Sequence, residues 1–319
     1  MESERKERIT LIDKATDLLR VSVDQLATSL ALFLTGFFTS KLILEDGNIQ
    51  DSKENYETIN HLEEAKASFF DESVVPFLAG ISLVFFQITE KNKEYFREAE
   101  KESGKEIDPP VIVDTSDCVN GVEETVRSEF GFNITDDSIE IEPTGWLANI
   151  GDLKSTYDKV RESAMKAVGA RMPLIEFLKI LKREIQGDEQ FTGLVQNHFK
   201  TIIWDVYAEF DRQVGYKTAV CLGYRAAIYE GGLIDRSRDF CIERNGKVFT
   251  YDEIRKFGTS EDEFGGYTDK ATGQFDGKPK FDYDPFFDQG GHNCRHAYSF
   301  IPDRLAIRLR PELKEVFNA

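Results

Sequence analysis

Apolar side chains in the first forty residues recur mostly at three- and four-residue steps: Leu11, Ala15, Leu18, Val23, Leu26, Leu30, Phe33 and Phe37, with Leu19 beside them. That spacing lays a continuous apolar stripe along one helix face, so residues 8–43 are expected to form one long helix or two in series. A polar turn from Glu45 to Ser52 follows, then a weaker helix from Glu54 to Phe70. A strong helix from Ser73 to Glu102 is expected to start near Pro76, which a first turn tolerates because its missing amide hydrogen has no intrahelical partner there. The first hundred residues therefore read as a helical bundle. Asp108-Pro109-Pro110 ends it, since the residue before a proline is pushed out of the helical region.

Past the prolines the period changes. Val111-Ile112-Val113 and Ile139-Glu140-Ile141 read as short strands around a helix-like stretch from Val122 to Phe130. Helical spacing returns from Ile150 to Val168, Gly169 ends it, and Pro173 opens a further helix through Ile185. Phe191 to Tyr229 reads as largely helical with breaks at Gly193 and Gly215, Val220, Ala226 and Ile228 keeping the helical step. Glu230-Gly231-Gly232 is a turn, Lys247-Val248-Phe249 a strand end, and Thr250 with Glu253 a capping box, closed by Gly258. From Gly258 to Gly291 the seven glycines and Asp269, Asp276, Asp282, Asp284 and Asp288 make a loop of the length that usually carries function. The expected fold is mainly α: a helical N-terminal region with a small C-terminal α+β domain. Three consecutive regions follow from the pattern: a bundle at 1–110, a mixed middle at 111–190 and the C-terminal domain at 191–319.

A chain of 319 residues can bury a proper core without cross-links. Its four cysteines, at 118, 221, 241 and 294, form no dense framework, and Met1 to Arg8 lacks the apolar region of a secretory signal, so folding in a reducing cytoplasm is expected. The formal charge of −18 is uneven, with −16 in residues 1–190 and −2 in 191–319, and nine acidic residues face a single Arg127 between Asp114 and Glu142. Such a surface repels polyphosphate, which argues against broad DNA binding. A local contact with DNA through Arg304, Arg308 and Arg310 is the exception the sequence allows, against the plainer reading of a solvated helix face. The apolar runs at 74–86 and 30–38 fall short of the roughly twenty residues that a membrane span needs, so both are expected to be core and no stable membrane insertion is expected.

The chemistry gathers near the C-terminus. Gly290-Gly291-His292-Asn293-Cys294-Arg295-His296 holds two of the four histidines and one of the cysteines, and Asp239 to Phe249 holds Cys241. Thiolate and imidazole are zinc's preferred ligands, so Cys241, His292, Cys294 and His296 are candidate ligands of a zinc ion. Two other readings stand beside it: the cysteines are small buried groups joining two distant segments, the reading the spacing favours because no C-x-x-C knuckle is present, or they oxidise to a disulfide. Arg295, among Asp282, Asp284 and Asp288, is expected to clamp the acidic loop. An enzymatic alternative is a metal-dependent nuclease using His292 and His296 with Asp282 and Asp284, or a thiol nucleophile at Cys241 with His292 as base. No catalytic residue is assigned.

The two segments together resemble the phage head morphogenesis family, the Mu F-like minor head proteins, in which an arginine, a cysteine and a Gly-Lys element precede a long variable loop and a terminal element with His, Asn-Cys and Arg. The similarity spans roughly His198 to Pro302 and includes Gly215 and Arg225. It places the family's first cysteine at Cys241, its Gly-Lys at Gly246-Lys247 and its terminal element at His292, Asn293, Cys294 and Arg295. The chain departs from the pattern by lacking a second cysteine after the first, by Gly290-Gly291 where many members have a proline, and by His296 in place of a final cysteine. The resemblance implies a minor head (capsid) protein acting in head assembly and genome packaging or delivery. It implies contacts with the portal protein and other head or neck proteins, a place in the virion interior near the portal, and the host cytoplasm during assembly. The helical N-terminal part would be the assembly arm.

Overall fold

The computed structural model describes residues 2–104, 115–135, 139–199, 202–235, 237–259, 261–264, 283–291, 294 and 296–318. In chain order they form α1 (Glu2–Lys41), β1 (Leu44–Glu45), β2 (Asn48–Ile49), α2 (Lys53–Asn60), α3 (Leu62–Phe69), a π turn (Phe70–Val74) and α4 (Val75–Gly104). There follow α5 (Ser116–Phe130), β3 (Phe132–Ile134), β4 (Ile139–Ile141), α6 (Trp146–Gly151), α7 (Lys154–Gly169), α8 (Leu174–Gln186), β5 (Gly187–Asp188), β6 (Phe191–Thr192), α9 (Leu194–Phe199) and α10 (Ile202–Cys221). The C-terminal part holds β7 (Ala226–Glu230), α11 (Asp239–Arg244), β8 (Lys247–Thr250), α12 (Tyr251–Arg255), β9 (Ala297–Ile301), α13 (Asp303–Leu309) and α14 (Leu313–Asn318). The chain is 68% helical with a few antiparallel strands near its C-terminus, a mainly α fold. The sequence pattern suggests consecutive regions. The compact units are instead interleaved, one made of Met1–Ala15, Val84–Arg127 and Trp204–Ala319, the other of Thr16–Leu83 and Ser128–Ile203.

The second unit is built by helical periodicity. On α1 its buried stripe runs through Leu19, Val23, Leu26, Leu30, Leu34 and Phe38; Leu18, expected in the stripe, is exposed, and Phe33 and Phe37 are only half-buried. Steps of three and four cannot say which of two adjacent apolar residues faces inward, and Leu19, Leu34 and Phe38 take the inner place. Phe38 meets Phe177 of α8 edge to face at 5.1 Å. The polar turn expected at 45–52 folds as a hairpin, β1 with β2, turning through Asp46 and Gly47 at φ of 52° and 79°. Asp-Gly is the pair that such a two-residue turn selects. Buried Asn55 fixes it to α2, accepting from the Ile43 amide and donating to the Ile43 and Gln50 carbonyls.

Pro76 lies in the first turn of α4, as the sequence suggests. It follows a π turn in which the Val75 amide donates to the Phe70 carbonyl, five residues back. Slipping the ladder by one residue just before the proline is a recognised way for a helix to pass it without breaking. The helical stretches Lys6–Lys41 and Lys53–Gly104 are long and apolar enough to cross a bilayer by length and composition, a weak indication by itself.

The first unit carries the three-stranded sheet, in order β8-β7-β9, both pairings antiparallel, with Ala227 opposite Phe249 on one side and Phe300 on the other. Ala226 to Ile228, read as a helix continuation, are the central strand: α10 runs unbroken through Gly215 to Cys221, and Gly223 at φ 73° turns the chain. A short apolar run reads the same in a buried helix and a buried strand, and both faces here are covered. Ala227, Tyr229, Phe249, Tyr298 and Phe300 join one core. Ala226, Ile228 and Ile301 pack with Leu305, Ala306 and Leu313 of α13 and α14 on the other face. A disulfide that the cysteine spacing did not suggest, Cys118–Cys221, joins α5 to the end of α10. The strand expected at 111–113 lies outside the described residues.

Candidate cysteine and histidine centre

The centre lies at one end of the sheet. Tyr229 comes from β7, Cys241 from the first turn of α11, and Cys294 and His296 from the segment that enters β9. The two sulfurs are 3.7 Å apart, the Tyr229 hydroxyl lies 3.3 Å from Cys241 Sγ and 3.7 Å from Cys294 Sγ, and His296 Nδ1 is 4.0 Å from Cys294 Sγ. Ligand atoms of Cys241, Cys294 and His296 all lie within 4.8 Å of one another. The cluster is closed to solvent, with exposures of 3%, 6% and 4% for the three residues. The Tyr229 ring stacks on the His296 imidazole at 5.1 Å and 8°.

Two glycines make the approach possible. A Cβ on Gly290 would stand 2.5 Å from Cys241 Sγ and 2.9 Å from Cys294 Sγ, and one on Gly231 would stand 2.8 Å from the Cα and Cγ of His296. Neither position admits a larger residue without moving the cluster. Between them, Gly246 at φ 78° turns α11 into β8 and donates its amide to the Tyr229 carbonyl at 2.7 Å, so the Gly-Lys element is a backbone device. Lys247 places its ammonium 4.5 Å from the Phe264 ring.

Electrostatics separates the two thiols. A hydrogen bond from Cys241 draws the Cys294 pKa well below that of an ordinary thiol, helped by His296 and by the Arg212 guanidinium, while the same bond and burial push Cys241 up. Burial also drives the Tyr229 phenol well above its usual range, so it stays protonated beside them. Gln289, which precedes Gly290, is fully buried in the left-handed region at φ 48°, and among the described residues neither side-chain amide atom has a partner. The His296 Nε2 is likewise unpartnered.

Two arginines that sequence reasoning passed over hold this centre in place. Arg212 on α10 donates to the carbonyls of Phe287 at 2.9 Å, Cys294 at 2.6 Å and His296 at 3.3 Å, and thereby pins the segment that carries the ligands. Arg244, fully buried, meets both carboxylate oxygens of Asp262 at 2.6 and 2.5 Å and lies against the rings of Phe240, Phe257 and Phe264 at 4.0, 4.5 and 4.6 Å. Asp262 also accepts from the Gly258 and Phe264 amides. It is an arginine–carboxylate clamp of the kind expected of Arg295, which itself lies outside the described residues. Asp284 and Asp288 serve their own turn, accepting from the Phe286 and Asp284 amides.

Of the four candidate zinc ligands, Cys241, Cys294 and His296 converge; His292 lies outside the described residues, as do Asn293, Arg295 and Asp282. Arg310, expected on a solvated face, pairs with Glu253 through two contacts of 2.7 Å, while Arg304 and Arg308 are exposed. Comparison with family models, with curated proteins and with solved structures finds no match to this chain.

Proposed function

We propose that the chain is a phage minor head protein, a non-enzymatic component of the virion that sits in the capsid interior near the portal, binds the portal protein and neighbouring head or neck proteins, and acts in head assembly and genome packaging or delivery. One observation carries this reading. The two segments whose residues resemble the Mu F-like pattern, fifty residues apart in sequence, meet at a sulfur-to-sulfur distance of 3.7 Å, with Gly246 and Gly290 each in a role that glycine is needed for. Burial of Cys241, Cys294 and His296 favours an architectural cluster over a nuclease, because a phosphodiester could not reach them. Exposed Leu18, Val21 and Leu32 on α1 and Leu83 and Phe86 on α4 give the helical arm apolar surface for protein partners.

Mass spectrometry of purified particles tests the reading, together with co-purification of the full chain with the portal protein of the same phage. The expected result is a few copies per particle and a stable portal complex. Absence from particles would contradict it, and cleavage of DNA with Mg²⁺, Mn²⁺ or Zn²⁺ that His292→Ala abolishes would replace it with the nuclease reading.

A further inference from the structure

We propose that Cys241, Cys294 and His296 form a structural zinc site that ties α11 to the segment entering β9. Spacing alone favours packed thiols; the geometry favours a cation. A tetrahedral zinc with Zn–S bonds of about 2.3 Å holds two sulfurs roughly 3.8 Å apart, and the pair stands at 3.7 Å with an imidazole nitrogen 4.0 Å from one of them. The ligand atoms of all three residues lie within 4.8 Å of one another, and Gly290 removes the Cβ that would fill the space against both sulfurs.

Satisfaction of buried polar groups points the same way. Buried polar atoms nearly always have partners, yet among the described residues the thiols have each other, the Tyr229 hydroxyl and the His296 ring within reach, and His296 Nε2 and both Gln289 amide atoms have no partner. A zinc ion coordinated by the two sulfurs and one imidazole nitrogen would give those three donors a common partner. Cys118 and Cys221 form a disulfide, whereas Cys241 and Cys294 are free thiols. His292 lies outside the described residues, and the site as proposed stands on the other three. This inference does not depend on the head-protein reading, since a structural zinc is compatible with any role of the fold.

The test uses the full chain, purified without chelator. Metal analysis should find about one zinc per chain, and Cys241→Ser with Cys294→Ser should lower it at least tenfold, whereas Cys118→Ser with Cys221→Ser should leave it unchanged. Because the first double variant can fail to fold, the parent protein is also exchanged into cobalt. A thiolate-to-cobalt charge-transfer band with strong tetrahedral d–d absorption supports the site. Parent protein that carries no zinc and shows no cobalt–thiolate band, or in which Cys241 and Cys294 are joined by a disulfide on isolation, overturns it.

Discussion

The two compact units are held together by different physics. In the unit formed by Thr16–Leu83 and Ser128–Ile203, the buried polar side chains among the described residues are neutral, Thr16, Asn55, Ser82 and Thr156, and the core is aliphatic and aromatic. In the unit that carries the sheet, Arg8, Glu123, Asp211, Arg212, Arg244, Asp262, Asp288 and His296 are all buried. There Arg8 bonds Asn92 at 2.9 Å and Asp211 at 3.3 Å, Asn92 donates to Asp211, and Tyr95 donates to the Phe300 carbonyl. A core built on volume tolerates exchange of one apolar shape for another, whereas a core built on paired charges tolerates neither partner's loss. The unit with the charge network is also the one with the cysteine and histidine centre, so its specificity is concentrated in a few residues.

The largest expected effect comes from breaking the most buried pair. Arg244→Ala leaves Asp262 as an unpaired buried carboxylate and should destabilise the sheet unit by about 3–5 kcal/mol. Replacing both, Arg244→Met with Asp262→Leu, should recover most of that loss. Denaturant unfolding followed by hydrogen exchange, which resolves the two units separately, measures both. If the double variant is as unstable as the single one, the cost is lost packing on Phe240, Phe257 and Phe264, and the contrast between the units weakens.

In the other unit the response should follow volume. Leu181→Ala, at a fully buried position of α8, should cost about 3 kcal/mol through the cavity it leaves, and Leu181→Met under about 1.5 kcal/mol. A comparable loss for both would mean that shape, too, is tightly specified there. The Cys118–Cys221 bridge closes 103 residues of chain, and its reduction should lower the stability of the sheet unit by about 2 kcal/mol or more, read as a lower denaturation midpoint under reductant. An unchanged midpoint would remove the bridge from the account.

What sequence could show follows the same division. Helical stripes, the helix ending at Gly169 and the capping box of Thr250 and Glu253 were legible because each depends on neighbours within four residues. The meeting of Cys241 with Cys294 came from motif resemblance. Arg244 with Asp262, Arg212 with the carbonyls of Phe287 and Cys294, and Cys118 with Cys221 were not legible, because nothing local distinguishes a buried arginine or cysteine from an exposed one. Ala226 to Ile228 failed for a related reason: the four consecutive buried residues Ala226 to Tyr229 have no period.

The smallest effect concerns acid. Burial pushes the Glu253 carboxyl up, but Arg310 and the Thr250 donors outweigh it and leave its pKa below the ordinary glutamate value. A carboxylate with a depressed folded pKa contributes stability that is complete above its unfolded value and is lost as the pH falls through the folded one. Glu253 is partly exposed, so this is worth under about 1 kcal/mol. Glu253→Gln should flatten the acid limb of the sheet unit's stability curve by that amount and leave the other unit's curve unchanged.

The central claim is that the two motif segments form one buried cluster, and disulfide trapping tests it most directly. The full chain is treated with chelator, oxidised mildly while folded, alkylated and digested, with Cys118–Cys221 as the internal reference. The account predicts a peptide pair linked through Cys241 and Cys294, formed intramolecularly and lost when the chain is denatured before dilute oxidation. Cys241 and Cys294 recovered separately and fully alkylated after folded-state oxidation would contradict it.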